Sequence, residues 1–230
     1  METFVGKKRI LLLYFSFSSQ TNNLVQSLAN GLEGSDVDVT REKLSLVRPL
    51  RFPIGTVLGT LRMMIVTFFR MRLPIKPLSP QCFDDYDLVI LAGPTWSYNP
   101  SGPILSLLDR DGEKIFKGQN VLPLISCRGY WRIHSWGLKQ LLEKLGAKVV
   151  NLIVFSHPND EPWRTIGVFL KLAGRIPEKS SWLGKRYRKY GHTRKQFEEA
   201  KRFGQMIGRE LEEGSGDIQS LDFDTPLSRP

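Results

Sequence analysis

Hydrophobic positions along this chain fall into two kinds of stretch. Some are unbroken runs of strand length; in others, apolar residues recur every three or four positions. Residues 10–15 form a run of the first kind, which ends abruptly in the hydroxyl and amide side chains of Ser16 to Asn23. Leu24, Leu28 and Leu32 then recur at helical spacing, with Gly34 as a stop. The pattern predicts a buried strand, a polar turn and a helix over 20–32. A short strand is predicted at 37–39. Longer runs follow at 87–93 (DLVILAG), 120–126 (NVLPLIS) and 147–155 (AKVVNLIVF). Near-continuous apolar runs are what a parallel sheet covered on both faces demands, although Pro123 is awkward in a central strand.

Helical spacing lies between these runs, at 104–108 and at 135–145 before Gly146. It returns after Thr193, where Phe197, Ala200, Gly204, Ile207 and Leu211 would form a buried stripe. The alternation predicts an α/β three-layer sandwich: a five-stranded parallel sheet with right-handed crossovers and helices on both faces. One domain would span 1–213. The Gly, Ser, Asp and Pro content of 214–230 predicts a disordered tail. In such sheets ligands sit beyond the carboxyl ends of the strands, where strand order reverses.

Two inserts, 44–80 and 156–191, interrupt the alternation. The first predicts a helix over 54–73 with Ile54, Val57, Leu58, Leu61, Met64, Ile65, Phe68 and Phe69 on one face. Thr56, Gly59, Thr60, Thr67 and Arg70 fall opposite. Arg62 interrupts the apolar run, and a spanning helix needs about 20 apolar residues, so this helix is amphipathic and not transmembrane. The second insert carries an apolar helix over 163–176 edged by Arg164, Lys171 and Arg175, then the run KRYRKY at 185–190. Periodicity leaves three covers open for these faces: an anionic lipid surface, the protein's own sheet, or a second copy of the chain.

Charge sharpens this picture. Lys+Arg 33 against Asp+Glu 23 gives +10 over 230 residues. Such a balance points to an anionic partner: lipid headgroups, nucleic acid or phosphorylated small molecules. Nucleic acid is the weakest of these, because KRYRKY is short. Cys82 and Cys127, the only thiols, argue against a disulfide scaffold or a zinc site and fit the cytoplasm or its membrane surface. Lys7-Lys8-Arg9 before an apolar run imitates a signal peptide. No small-residue cleavage site follows, so the run reads as the first strand.

Three loops carry the candidate chemistry. Ser16, Ser18, Ser19, Gln20, Thr21 and Asn22 lie where backbone N–H groups and a helix dipole converge, a natural seat for phosphate. Pro94, Thr95, Trp96, Ser97, Tyr98 and Asn99 follow the third strand, and Ser126, Cys127, Arg128, Gly129, Tyr130 and Trp131 follow the fourth. With these loops the chain resembles the flavodoxin-like superfamily of FMN proteins and NAD(P)H-dependent flavin oxidoreductases, over about 8–155 plus the last helix. The family's first loop reads Ser/Thr-x-Thr-Gly-x-Thr. Here Ser18 stands for the threonine and Ser19 for the glycine, which adds a side chain where backbone approaches ligand.

The resemblance implies FMN as cofactor. Its phosphate would lie on the first loop, its ring would be covered by Trp96 and Tyr98, and its pyrimidine edge would border the third loop near Arg128, Arg132 and His134. It also implies redox chemistry, either electron transfer to a partner protein or NAD(P)H-dependent reduction of an apolar, quinone-like substrate. The flavin would do the chemistry, so no catalytic side chain and no metal are expected. Carrier flavodoxins are mostly acidic, so the basic charge suits an enzyme or adaptor at an anionic surface. The competing expectation is a flavodoxin-shaped lipid- or protein-binding module without flavin.

Overall fold

A computed structural model describes residues 7–187, 189–213 and 216–229. Strand β1 (Lys8–Tyr14) leads into helix α1 (Gln20–Leu32), and β2 (Val37–Lys43) pairs parallel to β1. The first insert contributes α2 (Val57–Phe68). Then come β3 (Leu88–Trp96), the two-residue β4 (Asn99–Pro100), α3 (Gly102–Phe116), β5 (Asn120–Cys127) and α4 (Trp131–Lys144). The last strand is split into β6 (Lys148–Val149) and β7 (Ile153–Ser156), followed by α5 (Trp163–Leu172) and α6 (Arg194–Glu213).

The strand order is β2-β1-β3-β5 and then β6 and β7, all parallel, with β4 an antiparallel addition to β3. Counting β6 and β7 as one strand gives the 2-1-3-4-5 order of the flavodoxin-like fold. One core, with Leu12, Leu28, Ile90 and Phe203 fully or almost fully buried, fills the layer under α1 and α6. A second, with Leu13, Leu91, Phe116 and Leu142, fills the layer under α3 and α4. Helices α1 and α6 meet backbone to backbone: a Cβ on Gly204 would collide with the Leu28 carbonyl. Thr193 and Gln196 form a reciprocal cap at the start of α6. The Gln196 N–H donates to Thr193 Oγ1 at 3.2 Å, and the Thr193 N–H donates to Gln196 Oε1 at 2.9 Å.

Three features depart from the pattern in the sequence. The fifth strand breaks at 150–152 because Asn151 leaves the ladder: its Oδ1 accepts from the Leu152 N–H at 2.8 Å. Pro123 faces that break. Val121 O accepts from Val150 N, so by alternation Pro123 also faces the last strand, at a level where no strand residue pairs with it. Its missing N–H therefore costs no ladder bond. The tail is ordered over 216–229, contrary to its composition. Ile218 and Phe223 are buried, Phe223 packs on Phe203 with ring centroids 5.0 Å apart, and Asn151 Nδ2 donates to Ile218 O and Leu221 O, both at 2.8 Å. Residues 214, 215 and 230 of the tail, and Arg188 of KRYRKY, lie outside the described residues.

The inserts behave differently from each other. Helix α5 is covered by its own chain, with Val168, Leu183 and Tyr187 forming a small core. Helix α2 is turned the other way. Its threonines, Thr60 and Thr67, are buried, while Val57, Leu58, Leu61, Ile65 and Phe68 are exposed to between 44% and 79%.

Candidate functional site

The carboxyl ends of β1, β3 and β5 open into one cleft of about 130 Å³. Its floor is made by the three loops, and α2 and α5 roof it. Of the residues expected there, Ser18, Gln20, Pro94, Thr95, Trp96, Ser97, Ser126, Cys127 and Arg128 line it. The rest do not. Tyr98 and Tyr130 form a pair on the rim, rings 5.3 Å apart. Asn99 instead caps the end of α2, its Nδ2 donating to Phe68 O at 3.1 Å. Thr21 is buried under the turn, and Asn22 accepts from the Tyr14 hydroxyl at 3.1 Å. A Cβ on Gly129 would strike the Arg164 guanidinium, and Trp131 lies between Arg132 and Arg229.

The first loop is built to receive an anion. Ser19 is the N-cap of α1 and takes φ 63°, a left-handed conformation that glycine adopts without steric cost. Among the described residues, the amides of Ser18, Ser19, Gln20 and Thr21 have no hydrogen-bond partner, whereas the next amide, Asn22, donates to Ser16 Oγ at 3.2 Å. Such a run of free N–H groups at a helix start is an anion seat. Gln20 is steered by the far side of the cleft: its Oε1 accepts from the His192 N–H at 2.8 Å.

The second loop holds the roof. Ser97 Oγ lies 2.8 Å from Thr67 Oγ1 and donates to Met64 O at 3.0 Å. Trp96 is not a free wall. It is 8% exposed and packs edge-to-face against Phe15 and Phe17, centroids 5.7 Å apart in each pair, so it presents only part of its ring. Phe17 shares that part of the wall and also packs on Phe52 of the first insert.

The third loop supplies charge. Arg128 makes no ion pair among the described residues, and no Asp or Glu lines the cleft. Ser126 Oγ sits 2.8 Å from His192 Nε2, while the other ring nitrogen of His192 is buried without a partner. His157 accepts from the Gly191 N–H at 3.0 Å. Burial, with His157 nearby, lowers the His192 pKa to about 3; burial, with Arg164 and Arg128, lowers that of His157 to about 4. Burial pushes the Cys127 thiol up to about 12. None of these side chains titrates near neutral pH, so they hold and exclude rather than transfer protons. Among the described residues no cluster of His, Cys, Asp or Glu is placed to hold a metal ion.

His157, Tyr190 and His192 escaped the sequence reading. They lie in or just after the second insert, Tyr190 at the end of the KRYRKY run and the two histidines where no periodicity or motif marks them, and only the fold returns that segment to the first loop.

No protein-family model matches the chain, and no curated protein does. Among solved structures, the chain is similar to a putative flavoprotein from Bacteroides eggerthii at 19% identity and a TM-score of 0.53, covering 73% of this chain and 99% of that one. It is also similar to a flavoprotein in complex with FMN from Lactobacillus acidophilus at 18% identity and a TM-score of 0.47, covering 63% and 91%. The likeness to the Bacteroides eggerthii protein supports the fold and nothing finer.

Proposed function

We propose that this flavodoxin-like chain binds FMN and works in redox chemistry. The observation that carries the reading is the run of unpartnered amides from Ser18 to Thr21, of which Ser18 and Gln20 line the same cleft as Trp96 and Arg128. The phosphate would take those amides together with the hydroxyls of Ser16 and Ser18, without any cationic side chain. Phe17, Trp96, Met63 and Phe169 would wall the ring with apolar surface and keep water from it.

When bound, the flavin supplies electron and hydride transfer; the protein sets its surroundings. Arg128 favours the negative charge that a reduced ring carries and so raises its potential. The apolar roof suits an apolar, quinone-like acceptor, with NAD(P)H or a protein as donor. A cleft of about 130 Å³ is smaller than the roughly 300–1,000 Å³ of ordinary ligand sites. Admitting a three-ring system would therefore require the roof to move outward. It is fastened to the second loop largely by hydrogen bonds from Ser97 and Asn99.

Titration of FMN and riboflavin into the purified protein, read by flavin fluorescence and visible spectrum, tests this. FMN should be quenched and bound, with riboflavin weaker by about 100-fold, the worth of a phosphate held by several charge-assisted bonds. Equal binding of the two would remove the phosphate seat. Failure of both would leave the second reading, a flavin-free lipid- or protein-binding module, which the side chain of Ser19 at the glycine position favours.

A further inference from the structure

Helix α2 is inside out. Its hydroxyls face the protein: Thr60 and Thr67 are 0% and 5% exposed. Its hydrocarbon faces outward: Leu58 is 79% exposed, Ile65 59% and Phe68 57%, and Phe69, just beyond the helix, 76%. At 100° per residue the exposed positions fall within one stripe. A contiguous apolar face of this kind on a water-soluble surface marks an interaction site. Elsewhere on the surface, Trp136 on α4 is 69% exposed.

Charge says what covers it. Between residues 44 and 83 there are Arg48, Arg51, Arg62, Arg70, Arg72 and Lys76, and no Asp or Glu. Arg48, Arg51 and Arg62 are exposed and make no ion pair among the described residues. A second copy is a poor cover, because a two-fold contact would set this basic patch against itself. The protein's own tail is a poor cover too, since its described part packs against Phe203 and Asn151. Among the described residues no helix is long and apolar enough to cross a membrane. A short amphipathic helix with hydrocarbon outward and arginines beside it has the make-up of an interfacial anchor.

We infer that the outer face of α2 docks on an anionic lipid bilayer. Val57, Leu58, Leu61, Ile65, Phe68 and Phe69 enter the headgroup–acyl boundary, and Arg48, Arg51 and Arg62 meet the lipid phosphates. Thr60 and Thr67 on the inner side of the helix line the cleft, so the bilayer lies about one helix diameter, some 10 Å, from it. That nearness would hand a bilayer-dissolved acceptor to the flavin. This consequence rests on the flavin reading, but the docking does not.

Co-sedimentation with vesicles, without added flavin, tests it. The full chain should pellet with phosphatidylcholine–phosphatidylglycerol vesicles and much less with phosphatidylcholine alone, and salt should release it. Leu58→Glu with Phe69→Glu alters two side chains that pack little, so the melting temperature should hold while vesicle binding falls at least ~tenfold. Arg51→Gln with Arg62→Gln should weaken binding ~fivefold per charge. A wild-type chain that stays in the supernatant with anionic vesicles, or a glutamate variant that pellets as wild type, overturns the inference. So does a wild-type dimer that the glutamate variant converts to monomer, because the face would then belong to a second copy. The flavin titration stands or falls separately.

Discussion

Acid should unfold this protein early, because all three of its histidines are buried and uncharged. His134, His157 and His192 are 2%, 4% and 4% exposed. Burial lowers each pKa, assisted by Arg70 at His134, by Arg164 and Arg128 at His157, and by His157 at His192, to about 3, about 4 and about 3. In the unfolded chain each imidazole takes its proton near pH 6.5. Between those values the unfolded state binds protons that the folded state refuses, so stability falls as pH drops from about 6.5 toward 4.

Each histidine contributes about 1.4 kcal/mol per pH unit across that window, and the three together about 4 kcal/mol per unit. Two pH units then remove ~8 kcal/mol, comparable with the whole stability of an ordinary domain at ~5–15 kcal/mol. Unfolding is expected around pH 4.5. Carboxylates such as Glu199, held low by Arg202, act in the same direction but only below their ordinary range, so the windows separate. Urea titrations followed by tryptophan fluorescence at several pH values from about 7.5 to 5 measure the slope. His134→Gln should reduce it by about a third. Constant stability over that range, or an NMR titration of any native histidine near 6.5, would refute the reasoning.

Other expectations are narrower. Gly204→Ala should cost about 1–3 kcal/mol by forcing α6 away from α1, seen as a drop in melting temperature of about 2–4 °C per kcal/mol. Ser19→Gly should leave stability almost unchanged, since relief of ~1 kcal/mol of left-handed strain is offset by glycine's greater unfolded freedom. It should nonetheless tighten FMN binding by clearing the approach to the backbone; weaker binding would argue that the Ser19 side chain itself holds the phosphate. Cys127, its thiol pushed up to about 12 by burial, should resist thiol reagents at pH 8 until denaturant is added. Rapid labelling of the native protein at Cys127 would contradict that burial.

Much of the frame is legible because β1, β3 and β5 announce themselves as near-continuous apolar runs with both faces covered, whereas β2 is half exposed. The helix predicted over 20–32 is the one observed, Gln20–Leu32, and Thr193 does cap the last helix. The split of the fifth strand had a local signal in Asn151, a poor strand former whose amide competes with the ladder. The ordered tail was hidden by its composition: Ile218 and Phe223 are isolated among polar residues, and single apolar anchors do not register in an average. The orientation of α2 was not legible. Periodicity finds two faces on a helix but says nothing about which one meets the protein. Trp96 shows the same limit at the site, since a loop aromatic serves equally as ligand wall or as core, and here Phe15 and Phe17 claim most of it.

The tail has one more effect. Strand β7 is the outermost strand at its end of the sheet, where an open rim invites pairing with a neighbouring molecule. At Ser156 that rim is spoken for: its N–H donates to Ser228 O at 2.9 Å, and its carbonyl accepts from Gln196 Nε2 at 2.7 Å. Ser228 of the tail and Gln196 of α6 thus act as a selvedge at this rung, occupying the backbone groups that a foreign strand would use there. Removing the described tail would bare that rung of the sheet and uncover the part of the core that Ile218 and Phe223 fill.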